Sequence, residues 1–304
     1  MPELPEVETV RAGLAKVMRG AEVTSVEVHD VRSLKRHLSG PKDFESKLLG
    51  SNTLDVVRRG KFFWLPITGG EQALVGHLGM SGQMLIRAPG FEPEKLNRVT
   101  IRFRSSRSKE YEMRFVDQRI FGSLAIEPLV KSADGGKGGF SDGKNLGKPW
   151  QNLVPASAAH IARDPLDEEF DIEQVVHRIR AKKSGIKRVL LDQQVLSGIG
   201  NIYADESLWL AKLHYNRAAD SLSKAKIREL IGLAQEVLQN AVAQGGTSFD
   251  QQYKNVNGES GYFSQELFAY GQTDLPCARC KTPIKRDSWA NRGSHYCPKC
   301  QRPS

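Results

Sequence analysis

No stretch of this sequence reaches the roughly 18 uninterrupted apolar residues of a membrane-spanning helix. Its opening, MPELPEVETV, does not pair a basic stretch with an apolar run as a secretory leader does. Together these absences predict a soluble, intracellular chain with no membrane partner. No internal repeat is evident. Cysteine does not occur before Cys277, which disfavours a disulfide framework spread over the fold. Acid is in deficit: 35 Asp and Glu face 44 Lys and Arg, a net charge of +9. Such a field attracts polyanions and says nothing about fold, so nucleic acid is favoured over an anionic membrane surface. The 304 residues, 39% of them apolar, suffice for two domains or one large one.

What is present is ordered along the chain. Val7, Val10, Leu14 and Val17 recur at helical period and predict an N-terminal helix. In Thr100–Arg104 and Glu110–Phe115 apolar and charged residues alternate, predicting half-buried antiparallel strands in a sandwich or barrel. A solvated sheet face accounts for the arginines of these strands as well as a binding role does. Lys131–Lys148 contains six glycines among Lys, Ser and Asp and lacks apolar periodicity, which predicts a mobile loop or linker. Helical patterning then runs to about Gln244, with stripes at Ile186, Val189, Leu190 and at Ile227, Leu230, Ile231, Ala234, Leu238. The expected division is 1–130 β-rich, 131–154 linker, 155–270 helical and 271–304 a terminal module.

The four cysteines read Cys277-x2-Cys280-x16-Cys297-x2-Cys300. Each pair can put two thiolates on one metal, and the span between them suits a hairpin. Four thiolates without histidine fit a closed, structural zinc site better than a catalytic one, and better than two disulfides. So short a segment depends on the metal for its folding. Around it stand Arg279, Lys281, Lys285, Arg286, Arg292, Lys299 and Arg302 against Asp287 alone. A zinc tetrathiolate carries about −2, so the module stays positive and suits phosphate. A second run, Arg178, Arg180, Lys182, Lys183, Lys187 and Arg188, holds no acid. Alone it reads as a solvated helix face; two basic clusters together favour DNA.

Several motifs occur in order: MPELPEVETV, RRGKFF, HLGMSG, DQRIFG, LLDQQVLSGIGNIYADE, GYFSQELFAYGQ and the cysteine module. In content and order the chain resembles the formamidopyrimidine-DNA glycosylase family of bacterial base-excision repair, over nearly its whole length except the glycine-rich insert. The resemblance implies an α+β fold: an N-terminal β-sandwich with flanking helices, a helix-two-turn-helix domain and a C-terminal β-hairpin zinc finger. It implies DNA-formamidopyrimidine glycosylase and abasic-site lyase activity on damaged double-stranded DNA. One structural zinc, no nucleotide cofactor, a monomer and a bacterial cytoplasmic location on the nucleoid go with it.

The resemblance also gives an otherwise plain terminus a chemistry. A small second residue permits removal of Met1, leaving Pro2 as a secondary amine. A terminal amine has a pKa near 7.7–8.0 against roughly 10.4 for lysine, so much more of it is neutral at pH 7. By resemblance Pro2 is the nucleophile, Glu3 the general acid and base, and Glu6 a supporting carboxylate; a first-turn helix carboxylate is the plainer reading of each acid. Lys61 matches a hairpin lysine that contacts phosphate and assists β-elimination, and Arg292 a zinc-module arginine that clamps phosphates and assists δ-elimination. Met80, Arg119 and Phe121 match residues that fill the gap left by a flipped nucleotide. Read singly, Met80 and Phe121 fit a core better. Asn201, after Gly198-x-Gly200, matches a backbone-phosphate contact, and His77, Lys182 and Lys187 are further phosphate candidates. Thr247–Gly261 lies where the family has a lesion-capping loop.

The sequence departs from the family pattern at three places. Leu96 stands where a histidine is expected, which removes one DNA-binding side chain or shifts its role to Arg98. DQRIFG replaces the commoner DPRRFG, and the insert at Lys131–Lys148 is long. Two other functions remain open: an endonuclease VIII-type glycosylase for oxidised pyrimidines, whose opening usually reads MPEGPE, and a non-catalytic DNA-binding protein. The latter gives no reason for Pro2, Glu3 and Lys61 together.

Overall fold

A computed structural model describes residues 2–246, 256–257 and 267–303. The chain forms two compact units, one of residues 1–160 with 245–261, the other of 161–244 with 262–304. No helix among the described residues is long and apolar enough to cross a membrane.

The first unit opens with helix α1 (Leu4–Met18) and contains α2 (Pro41–Leu48). Its strands are β1 (Glu22–Val28), β2 (Val57–Arg59), β3 (Phe62–Pro66), β4 (Gln72–His77), β5 (Gly82–Arg87), β6 (Asn97–Arg104), β7 (Glu110–Asp117), β8 (Ser123–Lys131) and β9 (Leu153–Pro155). They make two antiparallel sheets, in order β1-β6-β7-β5 and β2-β3-β4-β8-β9. Both sheets supply one core, where Phe103 and Phe115 meet Phe63, Leu74 and the α1 stripe Val7, Val10 and Leu14. The alternation in β6 and β7 resolves as register: Ile101 pairs with Met113 and Phe103 with Tyr111 inward, Arg102 with Glu112 and Arg104 with Glu110 outward. Those arginines spend their charge on the facing acids, at 2.9 and 3.0 Å.

The glycine-rich stretch differs from its expectation as a mobile linker. It folds back on the first unit: Arg58 and Phe140 exchange both main-chain hydrogen bonds, at 2.9 and 2.8 Å. A Cβ on Gly139 would strike the Arg58 carbonyl. Here glycine serves close backbone approach rather than freedom of motion.

The second unit holds α3 (Ile172–Arg180), α4 (Ile186–Leu190), α5 (Asn201–Leu210), α6 (Lys224–Ala243) and a hairpin of β10 (Lys285–Trp289) and β11 (Arg292–Tyr296). The stripe Ile227, Leu230, Ile231, Ala234 and Leu238 is buried as its period requires. The hairpin turns through Ala290 and Asn291, both at positive φ (46° and 60°), as a two-residue primed turn demands.

Candidate active site

In the first unit the N-terminus is shaped by a capping box. Glu3 is the N-cap of α1; its carboxylate accepts from the Glu6 main-chain N–H, and Glu6 Oε2 accepts from the Glu3 N–H at 2.8 Å. Two donors at the helix start are thereby satisfied reciprocally. Both glutamates are 3% exposed, while Pro2 just before them is half-buried. Pro5 sits in the first helical turn, where its missing N–H costs nothing.

Lys61 occupies the second position of a two-residue turn between β2 and β3. The first position is Gly60 at φ 57°, the left-handed conformation that this class of hairpin asks of glycine. His77 ends β4. Its Nδ1 accepts the Gly79 N–H at 3.2 Å, which puts the ring proton on Nε2. Burial, with Arg36, Lys35 and Lys61 nearby, pulls His77 from 6.5 down to about 4. His77 is thus a neutral imidazole beside three cations.

Met80 and Phe121 are not core residues: they are 41% and 45% exposed. Each sits on a turn, and the turns abut, since a Cβ on Gly79 (φ 62°) would strike the Phe121 carbonyl carbon. The second turn is wound around the buried Asp117 carboxylate. That group accepts from Ser81 Oγ at 2.6 Å and from the N–H groups of Arg119, Ile120 and Gly122 at 3.1, 3.1 and 2.7 Å. This winding holds Ile120 at φ 55°. Arg98, expected on DNA, is committed to the same turn: Nε donates to the Asp117 carbonyl at 2.9 Å and Nη1 pairs with Asp30 at 3.1 Å. Where the sequence places this guanidinium on DNA, in the structure two of its nitrogens bond internal acceptors.

In the second unit Lys182 is exposed, with Nζ 3.3 Å from Asp192. Lys187 departs from its expected role on phosphate: it is 0% exposed, its ammonium on Asp205 at 2.6 Å, Ser294 Oγ at 2.7 Å and the Gly293 carbonyl at 3.1 Å. It is a buried, paired charge rather than one offered to DNA. Asn201 Nδ2 donates to the same Gly293 carbonyl at 3.0 Å. Asp205 also accepts from the His295 N–H at 2.9 Å. Together α4 and α5 thus grip β11 just beyond Arg292, which is itself exposed.

The four cysteines carry no disulfide, and their Sγ atoms all lie within 4.8 Å of one another. Zinc–sulfur bonds of about 2.3 Å at tetrahedral angles fit inside that spacing. The cluster is a site for one zinc, held by Cys277, Cys280, Cys297 and Cys300. Asp287, the one acid of residues 277–304, accepts from the Tyr215 hydroxyl at 2.7 Å.

Sequence reasoning passes over Asp117, Asp205 and Glu206, although each lies within a family motif. Glu206 accepts the N–H groups of Phe268, Ala269 and Tyr270 at 2.9, 2.9 and 2.8 Å. Acidic residues beside glycine and aromatic ones are the available signal; their burial is not legible. The expected capping loop, Thr247–Gly261, lies outside the described residues apart from Val256 and Asn257.

Known proteins share this architecture. Residues 1–124 match the formamidopyrimidine-DNA glycosylase N-terminal domain, 161–252 its H2TH domain, and 274–303 the zinc finger found in FPG and IleRS. A formamidopyrimidine-DNA glycosylase of Leifsonia xyli subsp. xyli is 50% identical over 99% of this chain and 100% of its own length. One from Streptomyces coelicolor is 48% identical over 100% of this chain and 98% of its own. Two solved structures of Lactococcus lactis Fpg cover 99% of this chain and 100% of their own at 29% identity. One is in complex with abasic-site DNA (TM-score 0.80), the other with Fapy-dG DNA (TM-score 0.79). The chain belongs to the formamidopyrimidine-DNA glycosylase family.

Proposed function

We propose that this chain excises oxidised purines, 8-oxoguanine and formamidopyrimidines, from duplex DNA. It then cleaves the abasic site by β,δ-elimination through a Schiff base on Pro2. The observation that carries the reading is the capped helix start, which leaves Pro2 half-exposed directly before the buried Glu3 and Glu6. With Met1 removed, the neutral Pro2 amine attacks the sugar C1′, and the bond to the base breaks with its electron pair leaving on the base. Glu3, as general acid and base, takes up the proton lost from the Pro2 amine and delivers it to the departing base or the opening ring oxygen. Loss of the Pro2 proton and opening of the sugar give the iminium, which makes C2′ acidic enough for β-elimination of the 3′-phosphate. A second elimination expels the 5′-phosphate. Glu6 fixes the peptide between nucleophile and acid through its bond to the Glu3 N–H.

Lys61 and the His77 corner would hold phosphate in the first unit, and Arg292, Lys182 and Asn201 in the second. Flipping a nucleotide costs a few kcal/mol of stacking. The exposed Met80, Phe121 and Arg119 are suited to offset that by filling the gap and hydrogen-bonding the orphaned base. Zinc, when bound, supplies structure alone: it fixes the hairpin that bears Arg292.

The reading is tested by borohydride trapping on a lesion duplex. The parent protein forms a covalent adduct, and Pro2→Gly or an N-terminally extended form loses it. Persistence of the adduct in the extended form would remove Pro2 from the mechanism. Faster cleavage of dihydrouracil than of 8-oxoguanine duplexes would move the substrate to the pyrimidine branch, and lesion binding without cleavage would make the chain a non-catalytic binder.

A further inference from the structure

The glycine-rich stretch has no part in the function proposed above, yet it is built into the unit that carries it. Besides its main-chain pairing with Arg58, the Phe140 ring is shared by two guanidinium groups, Arg11 at 5.3 Å and Arg58 at 5.7 Å from its centre. Both arginines are almost fully buried and both reach Glu8: Arg11 Nε at 2.9 Å and Arg58 Nε at 2.8 Å. Two residues on, Asp142 accepts from Arg11 at 2.9 Å and from Arg19 at 2.5 Å. Arg19 also pairs with Asp55 at 2.8 Å, and Ser141 Oγ donates to the same Asp55 at 2.6 Å. Three guanidinium groups thus meet three carboxylates, with Arg11, Arg58, Glu8 and Asp55 buried and Arg19 and Asp142 at the surface end. A Cβ on Gly143 would strike the Asp55 carboxylate, so the glycines admit the stretch to this network.

The network ends at the two places where chemistry is proposed. Glu8 lies on α1, whose first residues follow Pro2 and Glu3. Arg58 lies on β2 just before the Gly60–Lys61 turn, and its Nη1 donates to the Gly60 carbonyl at 3.3 Å. One buried guanidinium therefore touches the helix that presents Pro2 and the turn that presents Lys61.

We infer that residues 131–148 act as a brace for catalytic geometry. Phe140 holds Arg11 and Arg58, Asp142 holds Arg11 from the other side of the network, and Arg58 is the positioning residue that fixes the Lys61 turn against the Pro2 helix. The inference rests on the Pro2 and Lys61 roles proposed above. Its physical basis is that a misplacement of about 1 Å can cost on the order of 100-fold in rate without touching a reacting group.

The test uses the full-length, zinc-loaded protein and compares Phe140→Leu, Phe140→Tyr and the parent. Three quantities are read: the single-turnover rate of borohydride-trappable adduct on an abasic duplex, the Kd for an uncleavable tetrahydrofuran duplex, and the melting midpoint. Phe140→Leu is expected to trap roughly 10- to 100-fold more slowly while its Kd stays within about twofold. Phe140→Tyr, which keeps the ring, restores the rate. Trapping by Phe140→Leu at the parental rate overturns the brace, and so does a loss of binding and trapping in equal proportion at a temperature where the variant is folded. If Phe140→Leu fails to fold, Asp142→Asn, whose side chain is 54% exposed, takes its place with the same expected split. An absent adduct in the parent is a different failure: it overturns the Pro2 assignment, and the brace with it.

Discussion

The Arg119 guanidinium lies 4.7 Å from the centre of the Phe121 ring, and Lys35 Nζ holds the carbonyls of Ile120 and Phe121 at 2.9 and 3.1 Å. The two side chains proposed to fill the gap in the duplex are thus stacked on each other, on a turn pinned from both sides. Preorganisation of this kind lowers the ordering cost of binding.

Phe121→Ala removes both the wedge and the stack. Because Phe121 is 45% exposed, folding loses little. One aromatic–base stacking interaction is worth about 1–3 kcal/mol, so affinity for a tetrahydrofuran duplex should fall roughly 5- to 150-fold at an unchanged melting midpoint. A destabilised variant with unaltered affinity would return Phe121 to an ordinary packing role.

Lys182 and Lys187 stand five positions apart in one basic run and should behave oppositely. Removing one partner of a buried ion pair costs about 3–5 kcal/mol, so Lys187→Met should melt much lower. Where it remains folded, the slope of log affinity against log salt should match the parent's. Lys182→Met should melt normally and lower that slope by about 1, as removal of one phosphate-binding cation does. Salt-dependent binding by fluorescence anisotropy, beside thermal melts, decides; a reduced slope in Lys187→Met would restore it to the phosphate surface.

That pair also shows where legibility ends. The cysteine spacing announces a metal site because its ligands pair locally, and the α6 stripe announces a helix because burial there follows the period. Lys187 carries no local mark of burial; Ser294 and the Gly293 carbonyl, its partners, belong to a distant hairpin. The glycines of 131–148 mislead for a related reason. Glycine serves mobility and close approach alike, and only Arg11, Asp55 and Arg58, far off in sequence, tell which. The role proposed for Pro2 comes from the ordered motifs, while the Glu3–Glu6 capping box also fits an ordinary helix start.

His77 offers a pH test. Its pKa, held near 4 by burial and by Arg36, Lys35 and Lys61, lies below the unfolded value of about 6.5. Between those pH values the unfolded chain binds the extra proton, so this residue's contribution to stability falls as pH drops from about 6.5 toward 4. A phosphate held there, as proposed, would offset the three cations and raise His77, so binding would take up a proton and affinity should gain as pH falls through the bound-state pKa. Histidine-resolved NMR titration with and without the tetrahydrofuran duplex should show the upward shift. His77→Gln should flatten that part of the binding curve, and an unchanged curve would place the phosphate elsewhere.

Removing zinc should abolish binding and cleavage together. Cys277 and Cys297 share a small core with Ile284, Ala269 and Trp209, whose indole stacks on Phe268 at 4.7 Å and lies 3.7 Å from the Arg279 guanidinium. Four thiolates brought this close repel unless a cation neutralises them, and zinc contributes about 10–16 kcal/mol to folding in zinc-finger peptides. A core of this size does not replace that. Chelation should therefore open the module, expose Trp209 to water and red-shift its emission, while the β-sheets of the first unit keep their circular dichroism. Arg292 then loses the hairpin that Lys187 and Asn201 hold through the Gly293 carbonyl. Restoring zinc should return fluorescence and cleavage in parallel. Normal cleavage by protein shown by metal analysis to be zinc-free would mean that the hairpin stands on Asp205 and its partners alone, and that the metal does not position Arg292.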